Sequence, residues 1–171
     1  MTNAELAILG LVAEQPRHGY EIEQVINERG MRNWTEVGFS SIYYLLKKLE
    51  DQGQVESRLE QVGPGPARKV YHTTAAGREA LDEAIVEALS QPERCYQLFL
   101  LGLSHLPRIP RAQALEAMRR YRAGLEARLA EVHESARRQR PLPDHVEAMF
   151  DYSQTLIRAE MAWIDRFITS F

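Results

Sequence analysis

The sequence contains very little cysteine and no long apolar run. Cys95 is the only cysteine among the 171 residues, which excludes an intramolecular disulfide and a zinc site built from several cysteines. No apolar run approaches the roughly 18 residues that a membrane-spanning helix needs. The N-terminus lacks the basic segment and long apolar stretch of a signal peptide. These absences predict a soluble, cytoplasmic protein.

An excess of positive charge and any catalytic pattern are also missing. The formal net charge is −3, so any binding of nucleic acid must depend on local charge rather than on a strongly basic composition. The sequence has no Ser-His-Asp order, no paired-carboxylate signature and no glycine-rich phosphate loop. The "GPGP" segment at residues 63–66 does not form a phosphate cradle, because its two prolines have no backbone N–H. We therefore predict neither an enzyme nor a cofactor or metal site.

The first two predicted helices are marked by caps and by helical spacing of apolar residues. Thr2 and Glu5 form a capping box at the start of the first helix. The second helix lies in "RHGYEIEQVINERG", where His18 either caps the N-terminus or donates to a phosphate; we favour the cap. Its apolar side consists of Tyr20, Ile22, Val25 and Ile26, and Gly30 is expected to end the helix.

The third predicted helix, from about residue 39 to residue 52, has two chemically different faces. At 100° per residue, its buried side consists of Ile42, Leu45, Leu46 and Leu49. The opposite side carries Ser40, Tyr44 and Lys47, with Tyr43 and Lys48 on the flanks. Such a face is often only solvated, and the carboxylates of Glu50 and Asp51 would repel phosphate. Gly53 is expected just beyond the end of the helix.

A change of period after this helix predicts a β-hairpin. "VESRLEQV" alternates as a half-buried strand does, the "GPGP" turn follows, and "RKVYHT" is a second strand. Three helices followed by a hairpin are the order of a winged helix-turn-helix, in which the third helix enters the major groove. We therefore predict DNA contacts from Ser40, Ser41, Tyr43, Tyr44, Lys47, Lys48, Arg68 and Lys69. The alternative is a winged helix that serves as a protein–protein interaction module without binding DNA directly.

The second half of the chain predicts helices only. Thr74 caps a fourth helix, and Ser90 with Glu93 forms a capping box ahead of "RCYQLFLLGLSHL". A long helix with a heptad-like seam follows, "PLP" interrupts the chain, and a last helix runs from about Asp144 to the end. We predict a mainly α protein with a winged helix-turn-helix domain at 1–88 and an α-helical dimerisation and effector domain at 89–171.

The last predicted helix carries an apolar face wider than one contact within a subunit needs. We expect this face to form a homodimer interface through Phe150, Ile157, Trp163, Ile164 and Phe171. An excess of aromatic surface beside few polar groups is the usual composition of a ligand pocket. A flat aromatic effector is therefore expected where the two domains or two subunits meet, with contacts from Tyr96, Phe99, Arg158 and Trp163.

Three segments of the N-terminal half resemble the PadR family of bacterial transcriptional regulators. They are "HGYEI" (His18–Ile22), "SSIYYLLKKLEDQGQV" (Ser40–Val55) and "ARKVYHTTAAGREAL" (Ala67–Leu81). Tyr43 falls on the characteristic tyrosine of the family, whereas Gly38 and Phe39 depart from the Ser-Pro often found there. Beyond Ser90, "ERCYQLFLLGL" and "RAEMAWIDRF" are similar to the helical C-terminal domain of the longer subfamily.

The resemblance to PadR regulators implies a function. It implies a homodimer that binds an inverted-repeat operator in double-stranded DNA, commonly as a repressor. In some members of the family, a small molecule such as a phenolic acid releases the DNA.

Overall fold

The computed structural model describes residues 1–35, 37–38, 41–61, 66–92 and 97–171. The protein is mainly helical with one small antiparallel sheet, which confirms the predicted fold class. The chain divides into two compact units, Met1–Arg94 and Cys95–Phe171. The expected functional boundary after residue 88 stays a prediction. Among the described residues, no helix combines the length and the hydrophobicity needed to cross a membrane.

The first unit is a three-helix core with a hairpin and a fourth helix. In chain order its elements are α1 (Asn3–Glu14), β1 (Arg17–His18), α2 (Gly19–Glu28), α3 (Ser41–Asp51), β2 (Val55–Glu60), β3 (Arg68–Thr73) and α4 (Ala75–Ser90). A short 3-10 helix, Met31–Asn33, follows α2. The core of this unit is formed mainly by side chains of α1, α2 and α3 together with Val55 and Tyr71 from the sheet.

The sheet has three strands, one more than the sequence predicted. The strand order is β1-β3-β2, and β2 pairs with β3 from Val55↔Thr73 to Glu60↔Arg68. The additional strand, β1, is only two residues long and pairs with β3 at Arg17↔Tyr71 and His18↔Val70. So short a strand leaves no alternating pattern in a sequence, and it fixes the start of α2 beside the hairpin.

Two tight contacts hold α3 and α4 together at the turn before β2. Gly53 has a φ of +70°, the left-handed conformation that glycine adopts readily at a helix C-terminus. The Thr74 hydroxyl donates to the Gly53 carbonyl at 2.7 Å and accepts from the Gly77 N–H at 2.9 Å. A Cβ on Gly77 would lie 1.9 Å from the Gln54 carbonyl oxygen. The approach of α4 to this turn therefore requires glycine at residue 77.

The second unit consists of helices. They are α5 (Leu98–Ser104), a 3-10 turn (Leu106–Arg108), α6 (Arg111–Arg138) and α7 (Asp144–Ser170). The predicted capping role of Ser90 is wrong, because α4 continues to Ser90, whose hydroxyl donates to the Glu87 carbonyl. Glu93 lies outside the described residues. The long helices α6 and α7 pack on each other around Met118, Leu125, Ile157 and Ile164.

Candidate nucleic-acid interface

The third helix presents a polar and aromatic face opposite a fully packed one. Its apolar side is buried as the helical projection predicts, at Ile42, Leu45, Leu46 and Leu49. Tyr43 and Tyr44 are 62 % and 67 % exposed, and Lys47 is exposed beside them. Phenol hydroxyls and an ammonium are suitable donors to phosphates and base edges of DNA. Ser40, assigned to the same face, lies outside the described residues.

The two lysines of α3 have different surroundings. The Lys48 ammonium forms an ion pair with the Glu5 carboxylate of α1. Its hydrogen bond to Glu5 raises the pKa of Lys48, and the same bond is the main cause that lowers the pKa of Glu5. Lys48 is therefore restrained toward α1, although the sequence predicted it as a DNA contact. Within the described part of the chain, no ion pair engages Lys47.

The beginning of α3 is also organised by a local hydrogen bond. The Ser41 hydroxyl donates to the Gly38 carbonyl at 2.6 Å. This bond uses the one proton of the hydroxyl, so Ser41 can only accept a further hydrogen bond. Ser41, one of the residues predicted to contact DNA, therefore stabilises the start of α3 through this bond.

The N-terminus of α2 adjoins the exposed side of α3 and was not predicted as part of the site. A Cβ on Gly19 would lie 2.6 Å from Cε1 of Tyr43, so the Tyr43 ring packs directly on the α2 backbone. His18 caps α2, as favoured from the sequence, with its Nδ1 accepting from the Glu21 N–H at 3.3 Å. Tyr20, assigned from the sequence to the apolar side of α2, is 56 % exposed, whereas Gly19 and Ile22 beside it are buried. In the sequence, the only sign that these residues lie near α3 was the "HGY" segment itself, residues 18–20.

The hairpin of β2 and β3, called the wing below, carries two cations, Lys69 and Arg68, with different surroundings. Lys69 Nζ lies 2.8 Å from the Glu50 carboxylate and 5.1 Å from the centre of the Tyr71 ring. The Lys69 hydrogen bond, aided by the Ser57 hydroxyl, lowers the pKa of Glu50. The positive charge of Lys69 offsets the negative charge of the Glu50 carboxylate. The repulsion of phosphate expected from Glu50 is therefore reduced.

Arg68 at the start of β3 is exposed. Its Nη1 lies 3.1 Å from Nε2 of His18. Residues 62–65, which include most of the predicted "GPGP" turn, lie outside the described residues. The structure therefore brings Arg68 beside the N-terminus of α2 and so links the hairpin to that helix.

The predicted effector residues are only partly brought together. The rings of Phe99 and Trp163 meet edge to face with centroids 5.9 Å apart. Arg158 points elsewhere: its Nη2 lies 3.0 Å from both His133 Nε2 and Gln154 Oε1. Five residues along a helix turn the side chain by about 140°, which separates Arg158 from Trp163 on α7. Tyr96 lies outside the described residues.

The aromatic pair belongs to a longer series of rings. Phe99 stacks on Tyr121 at 4.5 Å, Trp163 on Phe167 at 5.3 Å and Phe167 on Phe171 at 4.9 Å. Burial first, and then a hydrogen bond to Glu160, raise the pKa of Tyr121 to about 12. Phe99 and Trp163 therefore already have aromatic partners within the second unit.

The apolar residues of α7 predicted for a dimer interface fall into two groups. Ile157 and Ile164 are covered by α6 of the same subunit, and Ile164 is 0 % exposed. Their assignment to a subunit interface is corrected, because α6 supplies the cover that the sequence alone assigned to a partner. Phe150 and Phe171 are half-buried and Trp163 is 37 % exposed. The neighbouring stripe remains accessible through Met149, Leu156 and Trp163.

Comparison with known sequences places these features in one group of proteins. The model of the "Transcriptional regulator PadR-like family" matches residues 8–83. An uncharacterised protein X of Lysinibacillus sphaericus is 32% identical over 96 residues, which are 56% of this chain and 86% of that protein. The negative transcriptional regulator PadR of Bacillus subtilis (strain 168) is 27% identical over 129 residues, which are 75% of this chain and 70% of that protein.

Solved structures share the fold over nearly the whole chain. Bacillus subtilis PadR in complex with operator DNA matches with a TM-score of 0.80 and 22% identity, covering 97% of both chains. The same regulator in complex with p-coumaric acid matches with a TM-score of 0.82 and 21% identity, covering 97% of this chain and 96% of that one. The likeness extends across both units.

Proposed function

Because the chain belongs to the PadR-like family of transcriptional regulators, we propose that it binds a specific double-stranded operator and represses transcription there. The observation that carries this proposal is the exposed face of α3. Tyr44 and Lys47 lie opposite four buried residues, and exposed Tyr43 flanks them. Major-groove recognition needs such a rigid helix with polar side chains outward. The name of the B. subtilis relative, a negative regulator, supports repression.

We further propose that the operator is an inverted repeat bound by a homodimer. A single winged helix offers one recognition helix and few phosphate contacts. Two of them on a two-fold axis reach half-sites about 34 Å apart, or a multiple of that distance. The accessible stripe of α7, defined by Met149, Leu156 and Trp163, supplies apolar surface for the self-association. Since its target is chromosomal DNA, we place the protein in the cytoplasm.

The proposed activity is regulatory and not enzymatic. The family whose model matches residues 8–83 consists of transcriptional regulators. We propose that a small aromatic acid modulates DNA binding, because a relative with the same fold was solved with p-coumaric acid. Phe99 and Trp163 are the ring contacts that this chain offers in the second unit.

The effector proposal is tested by fluorescence of Trp163. Since the chain contains two tryptophans, Trp34→Phe is introduced first so that the emission comes from Trp163 alone. Titration with a panel of phenolic acids should shift or quench this emission, and the active compound should weaken operator binding. A panel without any response in either measurement would contradict an aromatic acid effector.

Operator binding is tested with DNA from the region that flanks the protein's own coding sequence. A gel-shift series should detect a fragment with an inverted repeat that is retarded at nanomolar protein, while a scrambled fragment of equal length is not. Because Lys and Arg contacts release counterions, the logarithm of the affinity should fall linearly with the logarithm of the salt concentration. Binding of neither fragment at low salt would favour the alternative, a winged helix that contacts protein partners.

A further inference from the structure

A buried imidazole connects the start of α2 to the wing. His18 is 7 % exposed and lies on β1, directly paired with Val70 of β3. Its Nδ1 accepts the Glu21 N–H at 3.3 Å, and its Nε2 lies 3.1 Å from Nη1 of Arg68. The strand pairing thus holds one ring between the helix cap and the wing arginine.

The two contacts compete for the same ring. A neutral imidazole has one accepting and one donating nitrogen, and a guanidinium only donates. Both the Glu21 N–H and Arg68 require His18 to accept. Neutral His18 can therefore make one of these hydrogen bonds at a time, and protonated His18 can make neither. The protonated ring would instead donate to the Glu21 carboxylate, whose Oε1 lies 3.5 Å from Nε2.

We propose that His18 positions the wing arginine, and that the proton on its ring decides whether Arg68 is held against α2 or is free to reach DNA. This inference rests on the proposed function. Neutral His18, in the tautomer whose Nε2 accepts, holds the Arg68 guanidinium near the sheet and in that form does not accept the Glu21 N–H. Protonation removes the acceptor and places two cations about 3 Å apart, where they repel, so Arg68 turns toward phosphate.

The other charged groups around His18 are engaged by partners of their own. Arg17 donates to the Leu11 carbonyl at 3.0 Å and pairs with Glu14 at 3.1 Å. Lys69 on β3 pairs with Glu50. The neighbouring ring of Tyr20 is stacked on His18 with ring centroids 6.3 Å apart. Glu21 and Arg68 are thus the charged groups that respond to the proton.

The experiment measures affinity for the operator duplex between pH 5.5 and pH 8 at constant ionic strength. Histidine changes charge within this range. Wild-type affinity should rise about three- to fivefold as the pH falls, the scale of one exposed charge contact. His18→Asn keeps an oxygen to cap α2 but does not titrate, so it should bind at pH 8 at least as well as the wild type and lose the rise.

Arg68→Ala separates release of the arginine from simple addition of charge. With His18 intact, this variant should bind DNA more weakly and show no rise toward low pH. A full rise in Arg68→Ala would mean that the imidazolium charge acts by itself, and would overturn the proposal. Equal pH profiles for the wild type and His18→Asn would overturn it as well. Thermal unfolding at both pH values verifies that each variant is folded.

A measurement without DNA tests the coupling of His18 and Arg68 independently of the proposed function. The Arg68 side-chain N–H signal, assigned in an NMR spectrum by its absence in Arg68→Ala, should shift together with the ring C–H signals of His18 during a pH titration. An Arg68 N–H signal that does not shift while His18 titrates would contradict the positioning role, even if DNA binding itself is observed. Correlated shifts in a protein that binds no DNA would instead count against the proposed function alone.

Discussion

Single side chains determine how much of the exposed α3 face is available to DNA. Lys47 and Lys48 are neighbours in sequence, yet Lys48 is paired with Glu5 on α1 while Lys47 is exposed. On the wing, Lys69 is likewise paired with Glu50. Lys47 is consequently the lysine from which we expect the largest contribution to binding.

Replacing Lys47 should reduce DNA affinity without changing stability. We expect Lys47→Ala to weaken operator binding on the order of tenfold and to reduce the salt slope by about one, the values typical of a lost phosphate contact. The free energy of unfolding should change by less than about 0.5 kcal/mol. Arg120→Ala removes the same charge from an exposed position of α6 and serves as the matched control in gel shifts and thermal unfolding. If Lys47→Ala bound the operator with wild-type affinity, the assignment of α3 to the DNA interface would be contradicted.

The Glu5–Lys48 pair should make stability depend on pH below neutrality. Lys48 lowers the pKa of Glu5 below its ordinary value of 4.5, so the pair stabilises the fold above that value and ceases to do so as the pH falls through the lowered pKa. Lys48→Met keeps the length of the side chain and removes the charge. Urea unfolding should show the wild type more stable than Lys48→Met at pH 7, with the difference lost at acid pH, below the lowered pKa of Glu5. A constant difference at both pH values would exclude this ion pair as its source.

Gly77 should tolerate no side chain. Because a Cβ there would lie 1.9 Å from a backbone oxygen, Gly77→Ala must displace α4 from the turn that follows α3. We expect a loss of about 3 kcal/mol or more, at the upper end of single substitutions. Gly10→Ala is the control, since nothing lies within 4 Å of its Cβ position. A helix-interior alanine should stabilise α1 by up to about 1 kcal/mol. Chemical denaturation of both variants compares the two glycines, and similar effects would refute the steric argument.

At the scale of an element, α7 has one face for its own subunit and one that remains accessible. Ile164→Ala should lower the free energy of unfolding by about 2–5 kcal/mol, because Ile164 is fully buried against α6. Leu156→Ala lies on the accessible stripe, where the side chain is 51 % exposed. We expect it to weaken self-association while leaving the helical content unchanged. Sedimentation velocity over a range of concentrations and circular dichroism distinguish the two effects. Unchanged association in Leu156→Ala would move the subunit interface away from this stripe.

The elements of the first unit were predictable because their signals are local. Caps, the 3.6-residue period and the change to alternation predicted α1 to α4 and the hairpin, and the same period predicted the buried side of α3. The remaining features depend on residues far apart in sequence. β1 exists only because β3 pairs with it, Lys48 is restrained by Glu5, and Ile164 is covered by α6. No local pattern contains such partners, so the buried and exposed sides of α3 were predictable and these long-range contacts were not.

For the whole molecule, the division into two units predicts separable folding and cooperative DNA binding. The core of the first unit lies entirely within its own elements, from Ile8 to Tyr71. A protein limited to residues 1–92 should therefore fold, with a cooperative thermal transition. It should bind the operator on the order of 10²- to 10⁴-fold more weakly than the full chain, because the second half-site no longer adds avidity. Equal affinities of the short and full chains in gel shifts would contradict the proposed dimer.

The two-residue strand β1 also bears on the order in which the first unit folds. β2 and β3 lie close together in the sequence, whereas β1 must find its partners Tyr71 and Val70 across about fifty residues. Closing a longer loop costs more chain entropy. Pairings that form late are absent from the transition state, and weakening them speeds unfolding and hardly slows folding. Changes at β1 should therefore shorten the lifetime of the folded unit far more than they delay its formation.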